Sequence, residues 1–177
     1  MSSNDKVKIT KAMRKKVNLE RKIKKYVFVN SVDDYELSGT CKEIREILQH
    51  ILDDLDATKP LAINLVTDLI KFYSPPNKCH GFRLIQLMCR AIDRTSVVLV
   101  NTESEAFEKQ FPEDEEGQLG AVRDSLIEVF DKANDILGLN SVGASFGDWN
   151  AMEMLEEKVA SKDDSSEDED DTSEEEE

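Results

Sequence analysis

Four segments of this chain carry apolar residues at alternating three- and four-residue steps, a spacing that restricts the fold more than any other feature. From Cys41 to Leu55, the residues Ile44, Ile47, Leu48, Ile51, Leu52 and Leu55 make one stripe along a helix. Thr40 and Glu43 have the spacing of a capping box at its start. A second helix is expected over about Lys59 to Tyr73, capped by Thr58 with Pro60 in its first turn and ended by Ser74-Pro75-Pro76. Its apolar residues (Leu61, Ile63, Leu65, Val66, Leu69, Ile70, Phe72) cover much of its circumference, so it is expected to be central. A third spans about Gly81 to Arg94, with Phe82, Ile85, Met88, Cys89 and Ile92 on one face. The fourth runs from about Gln118 to Leu137 and stops at Gly138. Asp148 is placed to cap a weaker fifth helix through Val159. Each stripe needs a surface to cover it, so the expected fold is all-α, a four-helix bundle.

Between the third and fourth helices lies a long loop, Thr95 to Gly117, that opens with Val97-Val98-Leu99-Val100 and ends in Pro112 and a run of acids. A helical turn is expected around Glu103 to Phe111.

Charge is distributed unevenly. The net charge is −15, yet Met1 to Lys25 holds ten Lys/Arg against two acids, while Asp163 to Glu177 holds eleven acids and no base. The chain therefore divides into a basic arm (1–25), a helical-bundle domain (26–160) and an acidic tail (161–177). The tail has no apolar residue to bury and is expected to be disordered, with Ser165, Ser166, Thr172 and Ser173 as sites for acidophilic kinases. The arm clusters Arg14, Lys15 and Lys16, then Arg21, Lys22, Lys24 and Lys25. It suits nucleic acid phosphates, an import receptor or the acidic tail, and is expected to become helical only against something anionic.

No apolar run of about 18 residues and no leader pattern is present, so neither a membrane span nor secretion is expected. Cys41, Cys79 and Cys89 are an odd number without framework spacing, which fits reduced thiols.

Tests for chemistry return little. Gly143-Ala-Ser145-Phe-Gly147 has the letters of a nucleophile elbow, but that device needs a preceding strand and a general base; the two histidines, His50 and His80, lie far upstream. Cys79, His80, Cys89 and His50 lack zinc-site spacing, and Cys89 sits on an apolar helical face. No phosphate cradle or calcium loop is present. No catalytic residue, metal site or cofactor is expected.

Several pieces, taken in chain order, resemble the coat proteins of rigid rod-shaped plant RNA viruses, the tobacco mosaic virus type. Tyr26-Val-Phe-Val-Asn-Ser31 resembles the family's Phe-Val-Phe-Leu-Ser-Ser, and Phe72-Tyr-Ser-Pro-Pro76 its Val-Trp-Lys-Pro-Ser-Pro. Ala91-Ile-Asp93-Arg94, a long loop and Ala121-Val-Arg123-Asp-Ser125 resemble Ala-Phe-Asp-Thr-Arg, loop, Ala-Ile-Arg-Ser-Ala. Ser145-Phe146 and Trp149 stand roughly where the family has Ser-Phe-Glu and a tryptophan. The likeness covers about 125 residues; a second arginine close to Arg94 is missing, the stretch between the second and third helices is shorter, and both charged ends are extra.

The resemblance implies a four-helix bundle that self-assembles into a helical rod around single-stranded RNA, in virion and host cytoplasm. It implies an internal ion pair between Asp93 and Arg123, and RNA phosphates near Arg90, Arg94 and Arg123. Loop carboxylates (Glu103, Glu105, Glu108, Glu113, Asp114) would meet like charges on neighbouring subunits, so assembly is expected to strengthen as pH falls. The competing expectation is an acidic-tailed nuclear or nucleolar chaperone or adaptor for histones or other basic proteins.

Overall fold

The computed structural model describes residues 3–28, 33–112, 116–141 and 146–161. They form seven helices and, among the described residues, no strand. These are α1 (Ser3–Phe28), α2 (Asp34–Asp53), α3 (Pro60–Phe72), α4 (Gly81–Asn101), the single turn α5 (Glu105–Glu108), α6 (Glu116–Ile136) and α7 (151–161). The acidic tail with its four hydroxyl residues, together with Asn30, Ser31, Glu113, Asp114 and Ser145, lies outside the described residues.

The fold is all-α. α2 and α4 each pack on both α3 and α6 and touch one another, while α1 packs on α4. That makes α4, not the expected α3, the central helix. Its buried side chains run from Leu84 through Met88, Ala91 and Ile92 to Val98 and Leu99. On α3 only Ala62, Val66 and Leu69 are buried, and Phe72 is 39% exposed. Each large aliphatic side chain enclosed in this way contributes about 1.5–3 kcal/mol over leaving it in water.

Helix limits differ from the sequence expectation at the start of α2 and at the end of α4. α2 begins seven residues before Cys41, because Asp33 rather than Thr40 is its N-cap: Asp33 Oδ1 accepts the Glu36 N–H at 2.9 Å. The earlier start adds Leu37 to the stripe of Cys41, Ile44, Leu48 and Ile51. α4 does not stop at Arg94. The β-branched run assigned to a loop is its last turns, held helical by the burial of Thr95, Ser96, Val98 and Leu99.

α3 has no cap of its own, since Thr58 bonds Asp56 instead. Gln110, from the loop after α5, fills that role: its Oε1 accepts the N–H of Leu61 at 3.1 Å. At the other end Arg45 Nη1 donates to the Tyr73 carbonyl at 2.6 Å, placing a cation at a helix C-terminus. α7 is capped by Asn150, whose Oδ1 accepts from Glu153 N, and not by Asp148.

Two expectations hold in detail. α5 forms within the stretch given to a helical turn, with Ser104 as cap. Gly138 ends α6 at φ 75°; the Leu139 N–H reaches Asn134 O and the Gly138 N–H reaches Asp135 O, both at 2.9 Å, a Schellman ending. Tyr26 closes over that turn and donates its hydroxyl to Gly138 O at 2.8 Å, which ties α1 to the end of α6.

Candidate functional site

The arginines expected at an RNA site divide between two places. Arg90 and Arg94 stand one turn apart on α4. Arg90 is exposed; Arg94 donates from Nε to Asp68 Oδ2 of α3 at 2.7 Å, with its guanidinium over the Phe72 ring at 5.9 Å. Arg123 lies on α6 and donates from Nη2 to Glu108 at 2.8 Å and to the Thr102 carbonyl at the C-terminus of α4. Thr102 is eight residues beyond Arg94, about 12 Å along the helix. The Arg123 Nε is buried without a hydrogen-bond partner among the described residues.

Asp93 and Arg123 do not meet in the structure. Arg123 has the partners just given, and Asp93 accepts the backbone N–H of Ala151, the first residue of α7, at 2.8 Å. Burial pushes the Asp93 carboxyl above its usual range, and the Ala151 N–H pulls it partly back. One turn further along α4, Ser96 Oγ accepts the Gly147 N–H at 3.1 Å. α4 thus pins the segment leading into α7. Within that segment Phe146 and Trp149 pack edge-on against Phe130, with ring centroids 5.2 and 4.8 Å away.

Of the loop carboxylates, Glu103 is exposed, Glu105 pairs with Lys109 at 3.2 Å, and Glu108 holds Arg123. Glu113 and Asp114 are outside the described residues. Two of the described three are therefore neutralised within the chain.

The basic arm is helical in the structure, as the N-terminal part of α1. α1 continues through Lys25 and Tyr26 without a break and buries Ile23 and Val27. Arg14, Lys15, Lys16, Arg21, Lys24 and Lys25 are exposed and Lys22 is half-buried. Every side chain from Lys11 to Val17 is exposed, including Met13 at 59% and Val17 at 48%.

A second charged surface was not anticipated. Asp124, Glu128, Asp131 and Asp135 recur at four, three and four residues along α6. With Ile127 and Lys132 they line a shallow groove, and Lys132 is held by Glu43 of α2 at 3.2 Å. The spacing is visible in the sequence once α6 is placed, but an acidic composition hides it. Lys59 was likewise missed: 1% exposed, it donates to Thr58 Oγ1 at 3.1 Å and lies 5.3 Å from the centre of the Phe111 ring. Hydrogen bonds from Thr58 chiefly, with a smaller pull from Lys59, hold the neighbouring Asp56 carboxyl below its usual range.

Cys41 and Cys89 are buried and Cys79 is half-buried. Among the described residues, no three His, Cys, Asp or Glu side chains converge as a metal site. No described helix is long and apolar enough to cross a membrane. Comparison of the chain with family models, with curated proteins and with solved structures finds no match.

Proposed function

We propose that this chain is a self-assembling, non-enzymatic helical protein that packages single-stranded RNA in a helical rod, the function its resemblance to rod-virus coat proteins implies. The observation that carries the assembly half of this reading is the stretch of α1 from Lys11 to Val17, whose apolar and basic side chains are all exposed. In proteins most helical stability comes from packing of an apolar face rather than from intrinsic propensity. A second molecule is the natural source of that packing.

In this reading α2, α3, α4 and α6 are the four-helix bundle, supported by the closed cycle of packed pairs they make. Phe146 and Trp149, which the resemblance aligns with the family's C-terminal aromatic residues, dock on Phe130. Of Arg90, Arg94 and Arg123, only Arg90 is exposed and open to phosphate, whereas RNA reaching Arg94 or Arg123 competes with Asp68 or Glu108. Binding of this kind is dominated by phosphate neutralisation and weakens steeply with salt. Glu103, exposed and outside the Glu105–Lys109 and Glu108–Arg123 pairs, supplies a carboxylate for contacts between subunits.

The acidic α6 stripe favours one other reading, a nuclear or nucleolar chaperone or adaptor that binds histones or other basic proteins. Negative-stain microscopy across about pH 5 to 8, with and without single-stranded RNA, separates the two. Rods or stacked discs that lengthen with RNA are the expected result. Discrete small particles at every pH, binding a basic protein and ignoring RNA, would overturn the coat reading.

A further inference from the structure

We infer that the exposed stretch of α1 docks in the acidic groove of α6 on a second copy of this chain, joining copies head to tail. The inference rests on the self-assembly reading and names the contact that performs it. Met13 and Val17 stand one turn apart, flanked by Arg14 and Arg21, and all four are exposed. The same helix buries Ile23 and Val27 two turns later against its own core. What α1 presents is an apolar strip edged by guanidinium groups.

The α6 groove offers the complement. Ile127, 37% exposed, lies beside the ridge of Asp124, Glu128, Asp131 and Asp135, four carboxylates against the single ammonium of Lys132, which Glu43 already pairs. Asp124 to Asp135 spans eleven residues, about 16 Å of helix, and Lys11 to Arg21 spans ten, about 15 Å. Two helices of matched length thus bring opposite charges together along their whole contact, which steers and orients association.

Other anionic occupants fit α1 less well. The acidic tail, Asp163 to Glu177, contains no apolar residue and leaves Met13 and Val17 uncovered. RNA phosphates neutralise the basic side chains but do not bury the apolar strip. Because the groove and the helix belong to different surfaces of one chain, the contact is heterologous: it propagates into an open chain or closes into a ring, as its rotation dictates.

The test is a charge exchange read by sedimentation velocity on the full chain. Arg14→Glu with Arg21→Glu reverses α1, and Asp124→Lys with Glu128→Lys reverses α6. At about 0.05 M salt each reversed variant is expected to associate roughly tenfold or more weakly than the wild type. An equimolar mixture of the two, or one chain carrying all four substitutions, is expected to regain association to within a few-fold. All sites are exposed, so melting by circular dichroism should stay near the wild-type curve for every variant. A wild type that stays monomeric at all concentrations overturns this contact and the assembly reading together. Oligomers that persist unchanged through both reversals overturn the contact and leave assembly standing. The contact is equally overturned if the mixture fails to recover. It also falls if reversal of α1 abolishes binding of a single-stranded oligonucleotide while oligomers remain, or if removing residues 163–177 erases the effect of reversing α1.

Discussion

Replacing Asp93 by alanine isolates how α4 holds the last helix in place. Its carboxylate receives the first N–H of α7 at 2.8 Å. Loss of a capping acceptor costs about 0.5–2 kcal/mol, and a negative charge at a helix N-terminus adds about 0.3–1 kcal/mol. Desolvation works against this gain, since burial raises the Asp93 pKa. The net loss for Asp93→Ala is expected to be about 1 kcal/mol, a fall in Tm of about 2–4 °C for a domain of this size. Asp93→Asn keeps an acceptor at the same place with no charge to desolvate. It is expected within about 0.5 kcal/mol of the wild type at neutral pH.

The pH dependence follows from the direction of the shift. The folded state binds the Asp93 proton more tightly than the unfolded state, so its contribution to stability is complete below the ordinary value of about 3.9. It is lost as pH rises through the elevated folded value. The wild type should therefore gain stability relative to Asp93→Asn as the pH falls from neutral through that window. Trp149, the single tryptophan of the sequence, lies two residues before Ala151 and against Phe130, and its emission reports this segment directly. Urea unfolding followed by Trp149 emission and by far-UV circular dichroism gives the comparison. An Asp93→Ala protein with wild-type emission and midpoint, or an Asp93→Asn protein equally damaged at neutral pH, would refute the argument.

Gly138→Ala should lower stability by about 1–2 kcal/mol, because the backbone there has φ 75° and a side chain in the left-handed region is strained. Its Cβ would also stand 3.1 Å from the Tyr26 ring; thermal melting alongside Tyr26→Phe, expected to cost about 0.5–1.5 kcal/mol, separates strain from the lost hydrogen bond. The thiols give a further check. Burial pushes Cys41 from 9.0 to about 11 and Cys89 from 9.0 to about 12. A thiol reagent at about pH 8 should modify Cys79 first, and Cys41 and Cys89 only on unfolding; rapid reaction of all three in the native protein would contradict their burial. Because both folded values are raised, the stability they confer is complete below 9.0 and declines towards 11–12. Urea midpoints should fall over that range, and fall less in Cys89→Ala.

What the sequence determines here is local. Stripes at three- and four-residue steps marked α2, α3, α4 and α6; Pro75 and Pro76 follow the end of α3; Gly138 closes α6 in a left-handed turn. Each of these depends on residues within one or two turns, a range over which spacing and backbone preference act directly. Partner choice is not local. The resemblance pairs Asp93 with Arg123, yet Asp93 meets Ala151, 58 residues away, and Arg123 meets Glu108. Gln110 caps α3 from 49 residues away, and Arg45 serves the other end from 28.

The length of α4 was also decided in three dimensions. Val97 to Val100 has a strand former's composition, but burial of Val98 and Leu99 against neighbouring helices outweighs a propensity difference of a few tenths of a kcal/mol per residue. For α1 the order of residues gave its charge and its apolar positions. Only packing separated the part that is buried at Ile23 and Val27 from the exposed stretch between Lys11 and Val17.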